Sequence, residues 1–103
     1  MAISDLFDWD EANIAHIAEH GVAPHEAEEI VLSNPLDLEY SVRNDELRLR
    51  QAGETVAGRV LAVVTTMRNG RTRVITAYPA SRSLRATYRS YKKQVKDGKA
   101  NPS

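Results

Sequence analysis

The stretch that most constrains the fold is residues 59–77, RVLAVVTTMRNGRTRVITA. Residues 60–64 are an unbroken apolar run, as expected of a strand covered on both faces. Asn69-Gly70 follows, the pair that most readily takes positive φ at both central positions of a two-residue turn. Beyond it, Thr72, Val74 and Thr76 alternate with Arg71, Arg73 and Ile75. The outgoing strand therefore sends two arginines to one face. A hairpin that needs cover on its first strand and carries cations on its second predicts an antiparallel sheet against which the rest of the chain packs.

The flanking segments read as follows. Leu6, Phe7 and Trp9 suggest a short first strand. Asp10 is placed to cap a helix whose apolar stripe is Ile14, Ile17 and Ala18, and Gly21 is placed to end it in a left-handed conformation. Pro24 suits the first turn of a second helix, with Ala27, Ile30 and Val31 as its buried stripe and Asn34-Pro35 as its end. The period then changes from helix to strand. Leu36, Leu38, Tyr40 and Val42 alternate with polar residues, Arg43-Asn44-Asp45 makes a turn, and Leu47 and Leu49 oppose Glu46, Arg48 and Arg50. Gly53 and Gly58 bracket a looser connection into the hairpin, Pro79 ends the last strand, and Ser81 opens a final helix. That helix carries Leu84, Tyr88 and Tyr91 among Arg82, Arg85, Arg89, Lys92 and Lys93. The expected fold class is α+β: a short N-terminal strand, two helices, a four-stranded antiparallel meander and a C-terminal helix, with helices on one face of the sheet. One domain over residues 1–96 and a disordered tail over 97–103 complete the reading.

The formal net charge of zero hides a division. Residues 1–40 hold ten acidic residues and no lysine or arginine, whereas residues 41–103 hold all fourteen basic residues and four acids. One side is thus suited to polyanions and the other repels them, unless the halves lie together and neutralise. With no cysteine, disulfides and thiolate metal sites are excluded. No segment resembles a secretion signal or a membrane span, so a soluble cytoplasmic protein is expected.

Several motifs resemble those of BrnT-type toxins of bacterial toxin–antitoxin pairs. Phe7-Asp8-Trp9-Asp10, His20-Gly21-Val22 and Glu26-Ala27 are similar to the family's opening, and Glu46-x-Arg48 is similar to its Glu-x-Arg strand. Arg73-Val74-Ile75-Thr76-Ala77, with Arg85 and Tyr88, resembles its ending. The resemblance implies a RelE-like fold and a metal-free ribonuclease acting on messenger RNA. It also implies silencing by a cognate DNA-binding antitoxin of ribbon-helix-helix or similar type. Glu19, His16, Tyr78 and Leu84 depart from the family's usual residues, two of them replacing basic ones. The alternative is a non-enzymatic module of the same fold that binds nucleic acid or a partner.

Metal-free RNA cleavage needs a base for the 2′-hydroxyl, an acid for the leaving oxygen, and cations around the phosphorane-like charge. Arg48 and Arg73 are the candidate cations, with His20, Glu46 and Tyr88 as candidate proton-handling or phosphate-holding groups. Arg50, Arg71, Tyr78, Arg85 and Arg89 are candidate RNA contacts; guanidinium forks suit phosphate because they bind it bidentately. The nuclease reading, though not the fold, depends on Arg48 and Arg73 pointing to one side and not being tied up with carboxylates. The plainer reading makes the arginines solvated surface residues, some paired with Glu46 or the N-terminal acids, and His20 a helix-capping one. His16-Ile17-Ala18-Glu19-His20 also fits a zinc-binding H-x-x-E-H pattern, but the helix ends at once and no third ligand is evident. No metal or cofactor is expected.

Overall fold

Both tight turns form as their residues demand. In the computed structural model, which describes residues 3–96, Asn69 and Gly70 take φ of 54° and 77°, and Arg68 pairs with Arg71 across them. Asn44 and Asp45, at 52° and 64°, do the same between Arg43 and Glu46. Positive φ at both central residues matches the twist of the flanking strands, so each turn closes a hairpin. The strands β1 (Leu36–Arg43), β2 (Glu46–Glu54), β3 (Val60–Arg68) and β4 (Arg71–Pro79) form one antiparallel sheet in sequence order. The apolar run lies on central β3, where Val60, Leu61, Ala62 and Val63 are all buried. Gly53, expected in the loop, belongs to β2.

The two N-terminal helices, α1 (Glu11–Ala18) and α2 (Pro24–Leu32), cover one face. Asp10 caps α1 reciprocally with Asn13: each side-chain oxygen accepts from the other's backbone N–H, at 2.9 and 2.8 Å. At its end Gly21, at φ 74°, donates to the Ala18 carbonyl and Val22 to that of Ile17. This pattern closes with Ile17 against Val22 in the core. Pro24 takes the first position of α2, and the Glu26 side chain accepts from the Ala23 N–H at 3.0 Å. Ile17, Val22, Ala27 and Ile30 then pack on Leu61, Val63 and Val74. A Cβ on Gly53 would lie 2.9 Å from Ile30 Cγ2, so only glycine lets α2 approach β2 this closely.

Four expectations change. The third helix, α3 (Arg82–Lys96), packs on the opposite face, where Tyr88, Leu84 and Tyr91 meet Ala52, Val60, Ala80, Leu36 and Leu38. The helices therefore enclose the sheet rather than lining one side. The expected N-terminal strand is a 3-10 turn, Ile3–Leu6, followed by a single parallel bridge from Phe7 to Thr72. Pairing stops there because Asp10 takes up its cap and turns the chain into α1. On α1 itself the buried residues are Asn13 and Ile17, with Ile14 exposed. Asn13 lies inside because its amide donates to the Val74 carbonyl at 3.1 Å. Finally, β1 is only half as buried as its alternation suggests, because a bulge between Asp37 and Glu39 reverses which face each later residue meets. Leu36 and Leu38 stay under α3, but Tyr40 and Val42 emerge exposed on the other face. The expected tail, 97–103, lies outside the described residues. Among these residues, no helix is long and apolar enough to cross a membrane.

Candidate functional site

The register assigns every strand residue to a face. Arg50 pairs with Val64, and Val64 with Thr76; Thr66 pairs with Arg73, and Arg68 with Arg71. By alternation Arg48 stands beside Arg50, so Arg48, Arg50, Arg68, Arg71 and Arg73 all project from the face that carries α3. A second bulge, between Val64 and Thr65 in the pairing with β4, keeps Arg73 on this face despite the break in alternation at Ile75. Arg43, opposite Glu46, shares the face. The α3 helix covers one end of it, over Ala52 and Val60, and leaves the arginine end open.

The charge division is spatial only for the bases. Among the described residues every lysine and arginine except Arg59 lies on this sheet face or on α3, but Glu39, Glu46 and Glu54 share that face with them. The halves touch at seams. Arg59 bonds Glu26, and Arg73 reaches around the β4 edge to Asp8 and Asp10 at 3.6 and 2.9 Å.

Arg48 and Arg73 thus share a side, as expected, but each is held by carboxylates, contrary to expectation. Arg48 Nε donates to Glu46 at 3.1 Å, and Glu46 also meets Arg68 at 3.9 Å. Arg73 is the more enclosed, its side chain 14% exposed. It also donates to the Asp8 carbonyl at 3.4 Å and clamps the N-terminal segment to β4. The Asn13 amide and the Arg73 guanidinium hold the Asp10 carboxyl below its usual range. These are the partners of the plainer reading, Glu46 and the N-terminal acids; Asp8 and Asp10 are brought to Arg73 beside the Phe7–Thr72 bridge.

Three predicted residues do come together. Arg50 Nη1 donates to Tyr78 Oη at 3.3 Å, and the His20 ring lies 6.3 Å from the Tyr78 ring, edge to face. His16 stacks edge-on behind His20 at 5.5 Å. His20 follows the last turn of α1, and Tyr78 lies on the edge strand β4, so the contact runs around the sheet edge. Arg50 also meets Glu39 at 3.8 Å. Arg50 and Tyr78 form one wall of an open groove of about 530 Å³, with Ser81, Ser83 and Thr87 of the α3 end opposite. A cation, a phenol and several hydroxyls around a groove can hold a phosphodiester, and the His20 imidazole, outside the lining and against the Tyr78 ring, can move protons by way of it. The serines and Thr87 had no sequence signal beyond Ser81 as a cap, a role it fills by accepting from the Leu84 N–H at 3.1 Å.

The other candidates lie elsewhere. Tyr88 lies on the inner side of α3, and burial pushes its hydroxyl's pKa up; it is a packing residue of the second core cluster. Arg85 donates to the Ala80 carbonyl at 2.9 Å, and Arg89 pairs with Glu54 at 3.9 Å. Glu54 also accepts from Lys92, whose ammonium draws its carboxyl below the usual range. Arg71 is exposed at the hairpin end, and no ion pair engages it among the described residues. Among the described residues, no group of three histidine or carboxylate side chains is placed to hold a metal, so the H-x-x-E-H pattern has no third ligand.

Residues 9–83 match a family model described as ribonuclease toxin, BrnT, of type II toxin-antitoxin system. The search of curated proteins returned no match.

Proposed function

The chain belongs to the BrnT family of type II toxin–antitoxin ribonuclease toxins, and on that premise we propose that it is an endoribonuclease acting on messenger RNA without a metal, with the arginine face as its substrate surface. The observation that carries this reading is the 3.3 Å Arg50–Tyr78 bond in the groove wall, with the His20 ring against Tyr78 outside the lining. The scissile phosphodiester sits against Arg50 and Tyr78. Arg48, two residues along β2, stabilises the charge that develops on the phosphorus oxygens. Its bond to Glu46 is no obstacle, since a partly exposed ion pair contributes only about 0–1 kcal/mol and a phosphate can displace it.

In the reaction, the RNA 2′-oxygen attacks phosphorus and the bond to the 5′-oxygen breaks. The products are a 2′,3′-cyclic phosphate and a free 5′-hydroxyl. The attacking hydroxyl gives up one proton and the leaving oxygen gains one. His20 handles this exchange, because imidazole can both take and give a proton near neutral pH. Glu46 is a secondary candidate base for substrate bound nearer Arg48. Arg73 acts as a positioning residue through Asp8 and Asp10. In the cell the fold is read as RelE-like and the protein as cytoplasmic, and the partner that silences it as a DNA-binding antitoxin. The test is incubation of the purified chain with messenger RNA in excess chelator. Cleavage that leaves 2′,3′-cyclic ends supports the reading, and intact RNA overturns it.

A second reading keeps the fold and omits the chemistry: a module that binds RNA or a partner without cutting. Its support is that Arg48 and Arg73 are both engaged by carboxylates. RNA retarded in a gel but never shortened would favour it.

A further inference from the structure

The two outer strands of the sheet are treated differently. Along β4, the Phe7–Thr72 bridge ties the N-terminal segment to the edge, and the Asp8 N–H donates to the Thr72 carbonyl at 2.9 Å. Along β1, among the described residues, no strand and no backbone hydrogen bond comes from outside the β1–β2 pair. The α3 helix meets Leu36 and Leu38, and residues 39–43 are all exposed. Such an edge offers unpaired N–H and C=O groups to another strand, and natural edges are commonly blunted by proline, lysine or a bulge. Here the bulge lies at the Asp37–Glu39 end, and Glu39-Tyr40-Ser41-Val42-Arg43 contains neither proline nor lysine.

The side chains of this edge select the strand that fits it. Laid antiparallel to itself about Ser41, the segment is its own complement. Glu39 then stands opposite the partner's Arg43, Tyr40 opposite the partner's Val42, and Ser41 opposite the partner's Ser41. Two-fold symmetry makes the charged pair and the apolar pair each occur twice. Opposite-charge pairs and aromatic–β-branched pairs are among those that stabilise neighbouring strands. The faces agree as well, since Glu39 and Arg43 project on the arginine side and Tyr40 and Val42 on the other. Moving the register two residues towards the hairpin turn would set Glu39 against the partner's Asp45. Moving it the other way runs into the bulge, where alternation breaks.

We propose that β1 is a self-association edge: two copies pair β1 to β1, antiparallel and centred on Ser41, so that two four-stranded sheets join into one. Opposed residues of paired strands share a face. Both arginine faces therefore lie on one side of the joined sheet, as a wider surface for a polyanion. The inference holds whether or not the chain cuts RNA.

Sedimentation of the full chain over a range of concentrations should show a monomer–dimer equilibrium. Glu39→Arg and Arg43→Glu each oppose like charges twice, and each should weaken association at least 10-fold. Mixed in equal amounts, these two variants should associate with each other, because every arginine then meets a glutamate. Both changes in one chain should restore self-association to the wild-type level. Ser41→Cys, in a chain with no other cysteine, should give a disulfide-linked dimer in oxidised glutathione. Opposed Cα atoms lie about 4.5–5.5 Å apart, within the span of a disulfide. Met67→Cys, exposed on β3, should not cross-link. Should a charge variant unfold in a thermal melt, the cysteine pair still decides. A wild-type chain that stays monomeric at every concentration overturns the proposal. So does a dimer that folded charge variants do not weaken or their mixture does not restore, and so does equal cross-linking of the two cysteine variants. A chain that is monomeric alone but loses affinity for its antitoxin on Arg43→Glu would assign the edge to that partner, and likewise overturn the proposal.

Discussion

Arg59 Nη1 donates to both oxygens of the Glu26 carboxylate, at 2.9 and 2.7 Å, and to the Gly21 carbonyl at 3.1 Å. One guanidinium thus joins the β2–β3 loop to the start of α2 and the end of α1. Glu26 completes the arrangement by accepting from the Ala23 N–H.

That junction predicts acid sensitivity. The Ala23 N–H, and then Arg59, hold the Glu26 carboxyl below its usual range. A group with a depressed folded-state pKa stabilises the fold above its unfolded value and loses that contribution as pH falls through the folded value. Asp10 and Glu54 shift in the same direction. The melting temperature should therefore hold steady near neutrality and fall as pH drops below about 4.3, the ordinary glutamate value. Glu26→Gln should make that fall shallower and lower the plateau by about 1–2 kcal/mol, through loss of a charged acceptor. Calorimetry of both proteins from pH 7 to pH 3 measures this.

The Gly53–Ile30 approach predicts coupling. Gly53→Ala places a methyl against Ile30 Cγ2 and should destabilise by about 1–3 kcal/mol. Ile30→Ala leaves a cavity and should cost about 2–5 kcal/mol alone. Combined, the new methyl occupies part of the space vacated, so the double variant should be more stable than the sum of the singles implies. Urea titration of the four proteins settles it; strict additivity would mean that the helix and strand do not meet as described.

Asn13 is a buried polar residue with every role local to the fold. Asn13→Ala removes the partner of the Val74 carbonyl and half of the α1 cap, and should destabilise by about 1–3 kcal/mol. RNA cleavage per folded molecule should be unchanged. A variant as stable as wild type would show that the amide contributes nothing to the fold.

The groove-mouth cluster predicts a graded loss of cleavage. Arg48→Ala, beside that cluster, should lower kcat/KM by about 100–1000-fold, the scale for removing a donor from a developing oxyanion, and Arg50→Ala should act first through weaker substrate binding. His20→Ala should lose about 100–10,000-fold, the range for general acid–base groups. Tyr78→Phe keeps the ring and should lose less than either. Arg73→Ala should lower both melting temperature and activity, because it frees Asp8 and Asp10. Single-turnover assays beside thermal melts separate these outcomes.

Salt should report the arginines that touch RNA. For single strands the logarithm of affinity falls with the logarithm of salt by about 0.7 per phosphate contact. Replacing Arg48, Arg50 and Arg71 together by alanine should therefore flatten the slope by about 2. Val42→Asp, on the other face, should leave the slope as it was. Fluorescence anisotropy on a catalytically impaired His20→Ala background measures both.

Much of the fold was written in short-range signals. Asp10, Gly21, Pro24 and the Asn44-Asp45 and Asn69-Gly70 pairs each act through their own backbone, so their positions carry over directly into caps and turns. What escaped sequence reading is set at a distance. The bulge near Leu38 depends on how β1 meets β2, and no local residue type announces it; the exposure of Tyr40 and Val42 follows from it. Asn13 lies inside because a carbonyl on β4 needs a donor, and α3 crosses to the far face to cover Ala52 and Val60. At the candidate site, alternation along β2 and β4 correctly puts Arg48 and Arg73 on one side; Arg48 is held by Glu46, two residues away, whereas the carboxylates that hold Arg73 come from a turn of chain more than sixty residues earlier.

The gathering of the arginines on one sheet face and on α3 has a consequence for encounters. With zero net charge the protein feels little overall pull towards RNA from afar. At close range the arginine face gains most from a polyanion, so a molecule that meets RNA in another pose is held less well and turns until that face leads.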